Sequence, residues 1–298
     1  MTETPVDPSV LARPSGGYAM VAVDQREAMR AMFAEYDGEP VPDARLTEFK
    51  LAATRALTPY ASAILVDRDF ALDRVIDERA VAPGCALIAA ADRFLPGPGE
   101  FVADVEIDDA VDPAAYARRG VAALKLLVIW RPDEPAEGRV AMVREFVQRS
   151  HAAGLVSIIE PLSRAPRDGR DWDWDAGVLA AAEELGSLGA DLYKAEVPLH
   201  GEGDETELKR RCEHITGAVA SPWVVLSSGV QHEAFPRAVE LACLAGASGF
   251  LAGRAVWRPV VGSRDVETDL RADSVPRLRE LVRVVDRIVG SRRKDEHR

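Results

Sequence analysis

Gly189-Ala190-Asp191-Leu192-Tyr193-Lys194-Ala195-Glu196-Val197 is a short strand-like run entered through a glycine turn. The same entry recurs as Gly246-Ala247 before Ser248 to Leu251, so helix, glycine turn and strand follow one another twice with the same turn chemistry. Eight apolar runs of this kind are spaced along the chain: Tyr18 to Val23, Ala61 to Val66, Ala86 to Ala90, Ala123 to Ile129, Leu155 to Ile159, Ala190 to Val197, Trp223 to Leu226 and Ser248 to Leu251. Segments of helical period separate them. In Glu137 to Ala153, for example, Val140, Val143, Phe146 and Val147 fall on one face and Gly154 supplies a stop. Eight such units close most economically as a single (β/α)8 TIM barrel, an α/β fold whose functional groups sit at the C-terminal ends of the strands. A doubly wound open sheet is the competitor, but no G-x-G-x-x-G follows the first run.

No linker rich in Pro, Gly or Ser divides the 298 residues, so the chain reads as one domain with a loose N-terminal segment, residues 1–14, and a charged tail, residues 291–298. The formal charge of -12 argues against nucleic acid or an anionic membrane as partner, because either favours a basic face. A small anionic substrate remains compatible with it, since a few local arginines suffice to bind one. Cys85, Cys212 and Cys243 are odd in number and widely spaced, which indicates neither a disulfide framework nor a zinc ribbon. With no apolar leader and no membrane-length apolar stretch, the expected setting is the cytoplasm.

The run around Lys194 carries the sharpest chemical signal. Arginine serves most of the need for surface cations; the five lysines are Lys50, Lys125, Lys194, Lys209 and Lys294, and two of them lie inside apolar runs. Burial disfavours an ammonium, and a buried amine becomes a nucleophile able to condense with a ketone. Strand alternation puts Leu192, Lys194 and Glu196 on one face and Tyr193 and Ala195 on the other. A purely structural Lys194, paired with Glu196 or Asp191, is the alternative. Lys125 is the rival nucleophile, or an ion-pair partner of Asp24 or Glu160. Glu160 is followed by Pro161, expected to stop the strand and fix the carboxylate at the rim, where it either shuttles protons or balances the lysines.

Other polar residues gather where the runs end: Asp24, Gln25 and Arg26 after the first, Asp67 after the second and Asp92 after the third. Ser227-Ser228-Gly229 and Gly253-Arg254 follow the seventh and eighth, where barrels commonly bind phosphate. The segment Ser163 to Asp175 is long for a loop and suits a substrate-facing flap, with Arg164 and Arg167 as further anion contacts. The five histidines show neither H-x-H nor H-E-x-x-H spacing, so no metal ligand set is indicated and no cofactor is required.

With those residues assembled, Met20 to Arg26, Ala61 to Asp67, Lys125-Leu126-Leu127, Ile158-Ile159-Glu160-Pro161, Asp191 to Lys194 and Gly249 to Trp257 resemble the class I aldolase family that includes the tagatose-bisphosphate aldolases. Gly16 to Met20, Asp24 to Met29, Ser62 to Asp67 and Gly249 to Trp257 are most similar to its sulfofructosephosphate branch. The resemblance covers almost the whole chain. It implies a homo-oligomeric (β/α)8 enzyme in which Lys194 forms a Schiff base, with Glu160, Lys125 and Asp24 as its catalytic surroundings. It further implies cleavage of 6-deoxy-6-sulfofructose 1-phosphate to dihydroxyacetone phosphate and sulfolactaldehyde, with Gln25, Arg26, Asp67, Ser228, Gly229, Gly253 and Arg254 as substrate contacts. A tagatose- or fructose-1,6-bisphosphate aldolase is the alternative substrate reading, and a non-catalytic barrel that binds sugar phosphates is the alternative of another class.

Overall fold

The computed structural model describes residues 6–296. Its strands are β1 (Tyr18–Ala22), β2 (Ala63–Asp67), β3 (Ala86–Ala90), β4 (Asp92–Gly97), β5 (Glu100–Ile107), β6 (Val121–Trp130), β7 (Val156–Ser163), β8 (Leu192–Ala195), β9 (Trp223–Val225) and β10 (Gly249–Ala252). Eight of them form a closed parallel barrel in the order β1, β2, β3, β6, β7, β8, β9, β10. Closure is direct, with β10 registered on β1 from Tyr18 against Gly249 to Val21 against Ala252. The helices are α1 (Glu27–Asp37), α2 (Asp43–Leu57), α3 (Leu72–Asp77), α4 (Pro113–Arg118), α5 (Ala136–Ala152), α6 (Trp174–Leu185), α7 (Glu205–Ala218), α8 (Phe235–Leu244), α9 (Arg254–Trp257), α10 (Val266–Asp269) and α11 (Val275–Glu296).

Alternation along the strands produces two apolar shells. Met20, Leu65, Ile88, Ala123, Ile158, Leu192, Val224 and Leu251 fill the inside of the barrel. Val21, Ile64, Leu124, Leu126, Ile159, Tyr193 and Phe250 face the helices. Each of the eight apolar runs is a barrel strand. The helix expected after the fourth run is α5, with Val143, Phe146 and Val147 buried and Gly154 at a φ of 70° just beyond its end. That left-handed conformation is open to glycine at no steric cost.

Three expectations change. Residues 6–14 are ordered: Pro8–Leu11 forms a 3-10 turn capped by Asp7, and Leu11 is wholly buried against the inner shell. The N–H of Val6 donates to Asp191 Oδ1, so the segment lies at the end of the barrel where β8 begins. An apolar interior open at its floor gains from such a cover, which accounts for the order. Residues 1–5 lie outside the described residues. At the other end α11 runs through Glu296, carrying most of the charged tail as helix, and residues 297–298 are outside the described residues.

Pro161 does not end its strand. β7 continues to Ser163, paired to β6 through Trp130 against Ser163. Pairing with β8 stops earlier, at Ile159 against Tyr193. Proline lacks the ladder donor, and it sits where one side of the strand is already open. The third difference is an antiparallel hairpin, β4 and β5, inserted between the third and fourth barrel strands. Its signal is present in the sequence: alternating residues on both sides of Pro96-Gly97-Pro98-Gly99. Gly99, at a φ of 75°, takes the left-handed position of the turn.

Candidate active site

Two lysines and three carboxylates converge at the C-terminal mouth of the barrel. Continuing the register of Ile158 against Leu192 by two residues sets Glu160 beside Lys194 on adjacent strands. Glu160 Oε1 lies 2.8 Å from Lys194 Nζ, and Oε2 lies 3.0 Å from Lys125 Nζ. Lys125, one layer deeper, also meets Asp24 Oδ2 at 2.7 Å and Asp92 Oδ2 at 2.9 Å. Lys125 is fully buried and Lys194 is 3% exposed.

The electrostatics separate the two amines. Burial works against a charged Lys125, yet Asp24, Asp92 and Glu160 outweigh it and hold the amine well above its ordinary range. Burial raises the Asp24 carboxyl, but Lys125 and Lys194 prevail and hold it well below the carboxylate range. Lys125 is therefore a fixed ammonium at neutral pH, surrounded by three carboxyl groups. Lys194 has one carboxylate contact, and that partner, Glu160, lines the open space beside it.

That space is a cavity of about 500 Å³. Asp24, Gln25, Glu160, Ser228, Arg164 and Arg254 give it polar walls, while Phe94, Pro96, Phe101, Val102, Leu127 and Leu162 give it an apolar side. Four of those apolar residues belong to the hairpin, which sequence reasoning missed. Gln25 lines the cavity, and its Oε1 is a buried acceptor without a hydrogen-bond partner. Burying an amide oxygen unpaired is costly, so its place at the cavity is chemically informative.

The remaining candidates divide. Arg254 donates to Ser228 Oγ across the ends of β9 and β10. Burial, and then the neighbouring Arg258, lower the Arg254 pKa from its ordinary value. Gly229 stands beside a second hollow lined by Ser227, Gln231, Arg254 and Arg258. At Gly253 a Cβ would approach the Ala22 carbonyl to 2.6 Å, so the absent side chain lets the loop after β10 close over β1. Gly253 thus supports the rim and does not line the larger cavity.

Arg26 is at the cavity edge, but its guanidinium is already engaged. It donates to the Asp92 carbonyl and to Asp92 Oδ1, each at 2.8 Å, lies 3.3 Å from Asp69, and stacks 4.0 Å over the Phe94 ring. Asp67, expected as a substrate contact, is sealed away: it is fully buried, pairs with the equally buried Lys50, and accepts from the N–H of Phe70 at 2.9 Å. Burial pushes the Lys50 amine down and the Asp67 carboxyl up. Lys50 lies on α2, where no strand pattern drew attention to it.

Of the two flap arginines, Arg164 reaches the cavity, 3.6 Å from Glu196. Arg167 turns outward to Glu134 at 2.6 Å. Glu196 accepts from the Ser163 N–H at 2.7 Å, and burial, opposed by Arg164, pushes its carboxyl up to about 7. Among the described residues no helix is long and apolar enough to cross a membrane.

Residues 18–259 match the profile described as DeoC/LacD family aldolase. The chain belongs to that family. This aldolase is a carbon-carbon lyase whose relatives handle sugar phosphates. It is 27% identical over 280 residues to a tagatose 1,6-diphosphate aldolase of Listeria monocytogenes, covering 83% of this chain and 79% of the relative. A tagatose 1,6-diphosphate aldolase 1 of Enterococcus faecalis is 26% identical over 276 residues, with 83% and 82% covered. In fold the aldolase resembles an archaeal fructose-1,6-bisphosphate aldolase solved with its catalytic lysine bound to a carbinolamine intermediate. The TM-score there is 0.62 at 15% identity, over 93% of this chain and 97% of the other.

Proposed function

We propose that Lys194 is the Schiff-base residue of this aldolase and that the substrate is a ketose 1-phosphate. The observation that carries the reading is the 2.8 Å contact between Lys194 Nζ and Oε1 of Glu160, a residue that lines the cavity. Glu160 accepts the proton that frees the amine, and the amine attacks the ketone carbon. Protonation of the carbinolamine hydroxyl, again through Glu160, expels water and leaves an iminium. Glu160, having given its proton to the departing water, takes the C4 hydroxyl proton as the C3–C4 bond breaks; the electron pair of that bond flows into the iminium, the aldehyde departs, and Glu160 holds the proton that the enamine then receives. Protonation of the resulting enamine and hydrolysis release dihydroxyacetone phosphate and restore Lys194. Lys125 and Asp24 are the fixed charges that hold Glu160 between the two amines. Ser228 and Arg254, with Gly229 beside them, form the phosphate cradle, Gly253 lets the loop that carries Arg254 close, and the unpaired Gln25 amide oxygen receives a substrate hydroxyl.

At the far end of the substrate we favour a sulfonate, as in 6-deoxy-6-sulfofructose 1-phosphate, which gives sulfolactaldehyde. The supporting observation is the shortage of unengaged cations there. Arg26 is held by Asp92, Arg93 pairs with Glu106, and Arg164 has Glu196 behind it. A sulfonate carries a single negative charge and requires fewer cations than a phosphate. Tagatose or fructose 1,6-bisphosphate is the second reading, favoured by the similarity to tagatose 1,6-diphosphate aldolases. We assign the enzyme to the cytoplasm on its free cysteines, and to a homo-oligomer on the family resemblance.

Borohydride with dihydroxyacetone phosphate should leave a covalent adduct on Lys194, located by peptide mass mapping. An adduct on Lys125, or none, refutes the assignment. A kcat/KM for fructose or tagatose 1,6-bisphosphate equal to or above that for the sulfosugar removes the sulfonate.

A further inference from the structure

Arg131 follows β6 directly and is 3% exposed, yet it does not line the cavity. Its Nη2 donates to both carboxylate oxygens of Glu100, at 3.0 and 2.7 Å, and lies 3.4 Å from the Ala103 carbonyl on β5. Its Nη1 donates to the Ala165 carbonyl in the loop after β7, and its Nε is 3.7 Å from Glu134. One buried guanidinium thus touches the hairpin, its own loop and the Arg164 loop. Neighbouring contacts repeat the link. Arg167 Nη2 donates to the Ala103 carbonyl at 3.2 Å, and the N–H groups of Arg167 and Asp168 donate to Asp133 at 2.7 and 3.1 Å. Glu100, Phe101 and Val102 from the hairpin, and Leu162 and Arg164 from the end of β7 and the loop that follows it, all line the cavity.

We infer that Arg131 is a positioning residue that sets the spacing between the hairpin wall and the Arg164 wall, and with it the room for the substrate beyond the bond that breaks. This rests on the placement of the ketone at Lys194 proposed above. A planar guanidinium with several directed donors fixes three segments at once; an ammonium at the same place lacks that geometry. Misplacing binding groups by about 1 Å lowers rates on the order of 100-fold even when the reacting groups are untouched.

The test uses full-length wild type, Arg131→Gln and Arg131→Lys. Calorimetry measures binding of dihydroxyacetone phosphate, which ends at the cleaved bond, and of fructose 1,6-bisphosphate and 6-deoxy-6-sulfofructose 1-phosphate, which extend past it. Cleavage kinetics are measured on the two longer sugars. Arg131→Gln should bind the three-carbon ketone as wild type does. It should lose roughly 10- to 100-fold in kcat/KM for the longer sugars, mainly through KM, with Arg131→Lys between. Equal weakening for short and long ligands, or unchanged cleavage of the long ones, overturns the inference. If Arg131→Gln does not fold, Arg131→Lys decides it by the same comparison. Binding needs no amine chemistry, so failure of the borohydride adduct in wild type counts against the Lys194 reading and leaves this comparison standing.

Discussion

Lys194 Nζ lies 2.8 Å from Glu160 Oε1, and the other oxygen of the same carboxylate is held by Lys125. One cavity-lining carboxylate therefore stands between a fixed ammonium and the Lys194 amine. Lys125 orients Glu160, and Glu160 is placed to take the Lys194 proton.

Glu160→Gln removes the proton acceptor and keeps the side-chain shape. kcat should fall roughly 10²- to 10⁴-fold, the range for losing a positioned acid–base group. Borohydride trapping should still label Lys194, more slowly. Steady-state kinetics with single-turnover trapping checks this, and a kcat equal to wild type rules Glu160 out as the shuttle.

Asp67 and Lys50 are both wholly buried and satisfy each other. Lys50→Met alone should cost about 3–5 kcal/mol, because it strands a buried carboxylate, whereas the double change Lys50→Met with Asp67→Leu should recover most of that loss. Urea unfolding measures both. KM in the folded double variant should match wild type, since neither group reaches the cavity; a raised KM would return Asp67 to the substrate site.

Glu196 links stability to pH. Burial raises its carboxyl from an ordinary 4.5 to about 7, so the folded chain holds this proton more tightly than the unfolded one. Between those two values the unfolded state ionises first, and stability falls as pH rises, by up to about 3 kcal/mol in all. Glu196→Gln has no such loss. The unfolding free energy of the variant relative to wild type should climb from pH 4.5 to 7 and level off above it. A flat difference across that window would falsify the raised carboxyl.

The eight barrel strands were legible because each is a short apolar run bounded by turn residues, and inward alternation identified Lys194 and Glu196 as sharing a face. Glu160 as a neighbour of both lysines was legible only as one of several pairings, since strand register is not written in either strand alone. The hairpin's turn signal was present but lay between two barrel strands that already accounted for the pattern. Asp67 was misplaced for a different reason: its partner Lys50 comes from a helix, and a buried ion pair between a strand end and a helix leaves no local period.

The sequence by itself determined the architecture, because local period and turn chemistry act over a few residues and are repeated eight times. Tertiary structure alone decided which polar residues at the strand ends face a ligand and which are consumed by one another. Arg26 and Asp67 look as available in sequence as Arg254 and Gln25, yet the first two are engaged by Asp92 and Lys50. Charge neutralisation at contact distance depends on through-space proximity, and closing the barrel brings together groups that lie far apart along the chain.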